Sequence, residues 1–382
     1  MTAGRPLAEI VAELERRRQP GVTRDFTADT RSMRYDAADA DRDTPTLGFV
    51  AGDPFPADTS FPLTPYADTQ LVEWALIGKH VAASIRNAGG PALVEQCISA
   101  RFDGEGAAIR LVRILDGHVR AFLPAGYRRL DDYALLTAVA PVLQSAGVGV
   151  VASDLTERRL YVHAVSERLA FEVRDDEPWH FGIVVRGSEV GAGGVGIDPV
   201  LCGPGGEHPI IFARPMSLAS GAFDTEAFGS GNVTELPASD AADDPDFWER
   251  MRERAEGELS GAVPSRTRTW VEAAAEIDAP YAASAIAKNA VGLTAEVTAM
   301  FGVRLLERLG KVRGGAPTLY DCAIVLASFA ADAPDSDAAY EIARSAARLV
   351  MGQSAGLRSQ VAPAAAVPVN APATKKRKRG SA

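Results

Sequence analysis

Cysteine is scarce in this chain. Cys97, Cys202 and Cys322 are the only three in 382 residues, they lie far apart, and no CxxC or Cys/His cluster occurs. That excludes a disulfide framework and a Cys-based zinc site, and it points to a reduced, intracellular fold. Long apolar runs are also missing, with nothing near the roughly 20 residues that span a bilayer. Residues Met1–Glu9 contain no apolar segment of the signal-peptide kind. A cytoplasmic protein without membrane contact is expected. A basic excess is absent too: 40 Lys and Arg stand against 50 Asp and Glu, giving a formal net charge of −10. This rules out a generally basic nucleic-acid coat but leaves room for a local basic groove. What is present, 47% hydrophobic and 24% charged residues, is globular material. At this length it builds a large core without staples, as two domains or one elaborated domain.

Several catalytic and cofactor signatures are lacking as well. The Gly-rich piece Gly187-Ser188-Glu189-Val190-Gly191-Ala192-Gly193-Gly194 has no Gly-Lys-Ser/Thr, so it is no P-loop. It is followed by Gly196-Ile197-Asp198-Pro199 rather than a helix, so it is no dinucleotide fingerprint. A tight bend whose backbone path needs Gly is the plainer reading. His80, His118, His163, His180 and His208 form no paired metal motif; His163 and His180 are expected on strands that could bring them together. No Gly-x-Ser-x-Gly nucleophile elbow occurs. No cofactor, no metal and no catalytic residue is assigned.

The pattern along the chain predicts an α+β fold: an antiparallel sheet with a hairpin–helix–three-stranded-meander core, then a helical C-terminal part and a disordered tail. Residues 1–66 read as a short helix (Pro6–Arg18) and an irregular Asp- and Pro-rich connector without a core of its own. Residues 67–207 form the α+β core. It opens with one helix, Gln70–Asn87, and a hairpin turning on Asp116-Gly117, where Gly accepts the positive φ of a type I′ turn. A helix from Asp131 to Gln144 and strands Val148–Ser153, Arg159–Val165 and Trp179–Gly187 follow, and Val190–Val200 reads as a flexible crossing or an edge strand. Residues 208–243 read as a surface excursion and 244–352 as helical. Residues 353–382 form a disordered tail carrying Lys375, Lys376, Arg377, Lys378 and Arg379.

The positive signal is arginine interleaved with aromatics. Arg110, Arg113, Arg120, Phe122, Tyr127, Arg128 and Arg129 crowd the hairpin and the segment after it; Arg158, Arg159, Tyr161 and Arg168 follow on the meander. Single-strand binders combine cations that track phosphates with flat groups that stack on bases. The competing possibility is ordinary ion pairing with Asp131, Asp132 and Glu157. The five-residue basic cluster of the tail binds any polyanion in a salt-dependent way and adds little specificity.

Four segments resemble the phage/plasmid-like proteins of unknown function carried by bacteria, phages and plasmids. They are Val119-Arg120-Ala121-Phe122-Leu123, Tyr127-Arg128-Arg129-Leu130-Asp131, Gly187-Ser188-Glu189-Val190-Gly191 and Thr318-Leu319-Tyr320-Asp321. The chain departs from that family where its usual Asn is Gly187, and where its Cys-x-Asn-Gly is replaced by Cys202-Gly203-Pro204-Gly205. The helix-then-meander order is similar to the core of Rad-type and Red-beta single-strand-annealing proteins. Together these resemblances imply a non-enzymatic, homo-oligomeric protein that binds single-stranded DNA. Arg110, Arg113, Arg120, Arg128, Arg129, Arg158 and Arg159 would meet phosphates, and Tyr127 or Tyr161 would meet bases. Two alternatives stay open: a hydrolase or transferase around residues 187–207 using Glu189, Cys202 and a nearby His, and a self-associating structural protein of a mobile element.

Overall fold

A computed structural model describes residues 5–38, 44–52, 54–55, 57–104, 106–173, 178–203, 208–213, 234–236, 244–278 and 317–351. The fold is α+β, with three antiparallel sheets. The helix α1 (Leu7–Arg17) forms as its spacing predicts, burying Ile10 and Leu14 on one side.

The stretch expected to be a connector instead folds into strands. β1 (Thr23–Asp29), β2 (Met33–Asp36), β3 (Thr46–Phe49) and β4 (Thr59–Pro62) lie there, and β2–β3–β4 form a sheet of their own. Their aromatics make the core that the Asp and Pro content concealed: Phe26, Phe49 and Phe55 are buried against one another with centroids 5.0–6.2 Å apart. Strands of four residues are too short for a period-2 pattern to stand out.

The expected helix Gln70–Asn87 is two helices, α2 (Pro65–Trp74) and α3 (Lys79–Asn87), followed by α4 (Pro91–Asp103). The break comes at Leu76 and Gly78, both with positive φ (62° and 76°), which no α-helix accommodates. The hairpin is where it was expected: β5 (Ile109–Leu115) and β6 (His118–Pro124), with Asp116 and Gly117 at φ 49° and 74°. β12 (Thr234–Leu236), β1, β5 and β6 make a four-stranded sheet in that order.

Next come α5 (Asp132–Ser145) and the meander β7 (Gly149–Leu155), β8 (Leu160–Glu172) and β9 (Pro178–Gly187). The meander belongs to a five-stranded sheet in the order β11 (Ile210–Ile211), β10 (Gly196–Cys202), β9, β8, β7. β10 (Gly196–Cys202) is neither a crossing nor an edge. All seven of its residues are buried, and it pairs with β9 on one side and β11 (Ile210–Ile211) on the other. One face of this sheet packs on α1, α5 and α6 (Pro245–Leu259) through Leu160, Val162, Ile183, Val185 and Ile197. Toward β11, α7 (Ala262–Ala275) and α8 (Leu319–Ser328) continue that layer around Phe181, Leu201 and Phe212. The opposite face packs on α9 (Ser336–Val350), with Tyr340 and Ala343 against Tyr161, Val184 and Ile211.

The expected helices Ala282–Ala299 and Val303–Leu309, most of the 208–243 excursion and the tail with Lys375–Arg379 lie outside the described residues. Among the described residues no helix is long and apolar enough to cross a membrane, and no group of His, Cys, Asp or Glu is placed to hold a metal ion.

Candidate functional site

The predicted site residues divide sharply once placed. Arg113 is in the middle of β5 and only 1% exposed. Its Nε donates to Asp25 Oδ1 at 2.9 Å, Nη1 to the Glu189 carbonyl at 2.8 Å, and Nη2 to Asp131 Oδ1 at 3.3 Å. The first of these contacts follows from register, because Asp25 is the cross-strand partner of Arg113. Strict alternation along β6 would put Arg120 on the same face as Phe122. The β5–β6 register instead passes from Arg113↔Ala121 to Ile114↔Val119, leaving Arg120 as the extra residue of a bulge. A bulge re-aims its side chain; Arg120 is 5% exposed and its Nη1 lies 2.5 Å from Glu189 Oε2.

Four further arginines are ion-paired as well. Arg128 meets Asp244 and lies over the Phe247 ring, and Arg129 reaches Asp25 at 3.3 Å. Arg158 and Arg159 reach Asp337 at 2.6 and 3.4 Å. Tyr161 is 1% exposed and donates to Asp337 Oδ1 at 2.7 Å; Tyr127 donates to the Ser188 carbonyl at 3.2 Å. The expectation that these groups are open to phosphates and bases does not hold for all of them. Arg113, Arg120 and Tyr161 are interior, and their charges and hydroxyl are satisfied by Asp25, Glu189, Asp131 and Asp337. The ion-pairing alternative describes them, although the chief acids are not the ones nearest in sequence.

Three of the four motifs behind the family resemblance converge here. Glu189 is the hub: one carboxylate oxygen takes Arg120, with Arg17 of α1 at 3.7 Å, and the other accepts the Asp132 amide at 3.0 Å. Burial alone would raise the Glu189 carboxyl, but Arg120, Arg113 and Arg17 outweigh it and hold the group down at about 2. Asp132 beside it moves the other way. Burial, and then the Glu189 charge, push its carboxyl well above the usual range, so the two neighbouring acids are shifted in opposite directions. The fourth motif lies elsewhere and serves as a helix start. Thr318 and Asp321 form the reciprocal capping box of α8.

Gly187 explains itself in this setting. A Cβ there would lie 1.8 Å from Asp132 Oδ1 and 3.2 Å from Leu135 Cδ2. Gly187→Ala is accordingly expected to lower stability by about 1–3 kcal/mol, as overpacking does, measured by urea unfolding; an unchanged midpoint would refute the close approach.

The groups proposed for a hydrolase or transferase do not assemble. Cys202 pairs with His180 across β10 and β9, but burial pushes its thiol up to about 12, leaving no thiolate nucleophile at neutral pH. Glu189 is in the buried hub. His163 and His180 do not meet, since His163 is opposite Val184 and His180 opposite Ala170.

One predicted arginine has no acidic partner among the described residues. Arg110 lies over Phe122 (4.8 Å from guanidinium carbon to ring centroid) and near Trp74 (5.9 Å). Its one hydrogen bond is a long 3.4 Å contact to the Phe122 carbonyl, and its Nε has none. Burial pulls its guanidinium down to about 10, with no carboxylate to offset it. Arg101 of α4 sits on the same indole at 5.6 Å, also with an unpartnered Nε. Trp74, Arg101 and Arg110 are all half-buried, so two cations without an acidic partner among the described residues flank one half-buried ring. Sequence reading missed Trp74 and Arg101 because they belong to helices expected as one element or not at all. No protein-family model, curated protein or solved structure matches this chain.

Proposed function

We propose that this protein binds single-stranded DNA non-enzymatically, through the Trp74–Arg101–Arg110 patch, as a self-associating cytoplasmic protein of phage/plasmid type that promotes strand annealing. The observation that carries the reading is the pair of guanidinium groups beside one indole, with no carboxylate among the described residues to neutralise them. Cations follow phosphates, while indole and guanidinium planes stack on bases without regard to sequence. The hairpin–helix–meander order of β5 to β9 supports it as a likeness of topology. Self-association has a natural place in β7, the terminal strand of its sheet, where Val150 and Val151 are exposed. Lys375–Arg379 would add salt-dependent, unspecific attraction.

The patch makes a quantitative claim. Each phosphate neutralised contributes about 0.7 to the logarithmic salt slope on single strands, so two arginines account for about 1.4. Fluorescence anisotropy of a labelled oligo-dT, followed as salt is raised, is expected to show the slope fall by about that much in Arg101→Gln/Arg110→Gln. Gln keeps most of the stem and removes the charge. An unchanged slope, or no binding by the natural chain at low salt, would refute the proposal.

A further inference from the structure

The helix that carries Trp74 ends on an unusual residue. Past the last turn of α2, the Leu76 amide donates to the Glu73 carbonyl at 3.0 Å and the Ile77 amide to the Val72 carbonyl at 3.2 Å. This paired closure needs one left-handed residue, a position that glycine fills without strain because it has no Cβ. Here the residue is Leu76, at φ 62°. Ile77 packs into the same core as Val72, so the closure is held without help from the Leu76 side chain.

That side chain gains no burial to offset the strain. Leu76 is 77% exposed, more than any other large apolar residue among the described residues. An exposed leucine alone says little. One held in a conformation that glycine would adopt more easily, with its apolar side chain in water, points to a contact made outside the chain.

Its surroundings indicate the occupant. Trp74, with Arg101 and Arg110 beside its indole, is two residues away, at most about 7 Å along the chain. Lys79, the first residue of α3, adds an exposed cation on the other side. A partner here meets positive charge, a flat ring and an apolar tip, which suits a polyanion with flat bases. Leucine is among the side chains that nucleic-acid-binding proteins insert between adjacent bases, with cations nearby on phosphates. We infer that Leu76 is such a wedge, entering between two bases of the strand held at the Trp74 patch and unstacking them. The inference rests on that patch being the nucleic-acid site, and it adds that the strand is bound with one base step opened.

The test uses the full chain and oligo-dA carrying one 2-aminopurine, a base whose fluorescence is quenched while it is stacked. Anisotropy of an end-labelled strand reports binding, and 2-aminopurine emission at saturating protein reports unstacking. The natural chain is expected to raise the emission on binding. Leu76→Gly supplies the residue that this helix end favours, so its thermal midpoint is expected to be unchanged or higher. It is expected to lose the emission rise and to bind about tenfold more weakly, the factor that burying most of a leucine side chain supplies. Leu76→Met, flexible and of similar reach, should keep the rise. Binding without a rise, or an undiminished rise in Leu76→Gly, would overturn the wedge and leave the Trp74 reading standing. No binding by the natural chain would overturn both. A Leu76→Gly chain that keeps the rise but loses self-association in light scattering would assign the residue to a second copy instead.

Discussion

Arg113→Ala is expected to lower the free energy of unfolding by about 3–5 kcal/mol, the cost of removing one partner from a buried ionic cluster. The size follows from what is left behind. Asp25 is buried and held below the usual carboxylate range against its own burial, chiefly by the Arg113 charge. Asp131 loses the contact at 3.3 Å, and the Glu189 carbonyl loses a donor at 2.8 Å. Urea unfolding followed by far-UV circular dichroism measures the loss. The same variant separates two roles for this arginine. A surface cation that contacts phosphate would, when removed, leave stability within about 0.5 kcal/mol and weaken DNA binding; an interior one unfolds the protein. Arg113→Met, which fills the space but leaves the acids unpaired, is expected to be nearly as damaging as Ala.

Acid unfolding should carry the signature of Glu189. Its folded carboxyl titrates at about 2 against an ordinary value of 4.5. A depressed carboxyl contributes stability that is fully present above about 4.5 and is lost as pH falls toward about 2. That interval corresponds to a contribution on the order of 3 kcal/mol. Asp132 has the opposite sign. Its raised carboxyl favours the folded chain at low pH, and that contribution disappears as pH rises through its folded value. Glu189→Gln is therefore expected to flatten the acid limb of the stability curve while lowering the plateau. Asp132→Asn removes the loss at higher pH, because an amide cannot ionise. Denaturant midpoints measured from pH 2 to pH 8 distinguish the two; an acid limb unchanged in Glu189→Gln would contradict the ion-paired hub.

The fold class and most element positions were legible because the signals were long or chemically specific. The Asp116-Gly117 turn, the apolar stripe of α5 and the runs that became β8 and β9 each follow from local chemistry. The first sheet was not legible, since its aromatics are spread over four-residue strands among Asp and Pro. The site was legible only as composition. Arginine and aromatic residues do concentrate around the hairpin, but three things invisible in composition decide their roles. One is register, which puts Asp25 opposite Arg113. Another is the bulge, which turns Arg120 away from Phe122. The third is distance in sequence, which brings Asp337 to Arg158 and Arg159 from α9. Arg110, which has no acidic partner among the described residues, could not be told from its paired neighbours without those acids in place.

The claim that nucleic acid meets the Trp74 patch, and not the interior arginines, is tested most directly by ultraviolet cross-linking of the full chain to oligo-dT, with adducts mapped by peptide mass spectrometry. Adducts are expected on the peptide containing Trp74, reduced in Arg101→Gln/Arg110→Gln. Adducts on Tyr161, or confined to the segment Lys375–Arg379, would contradict it.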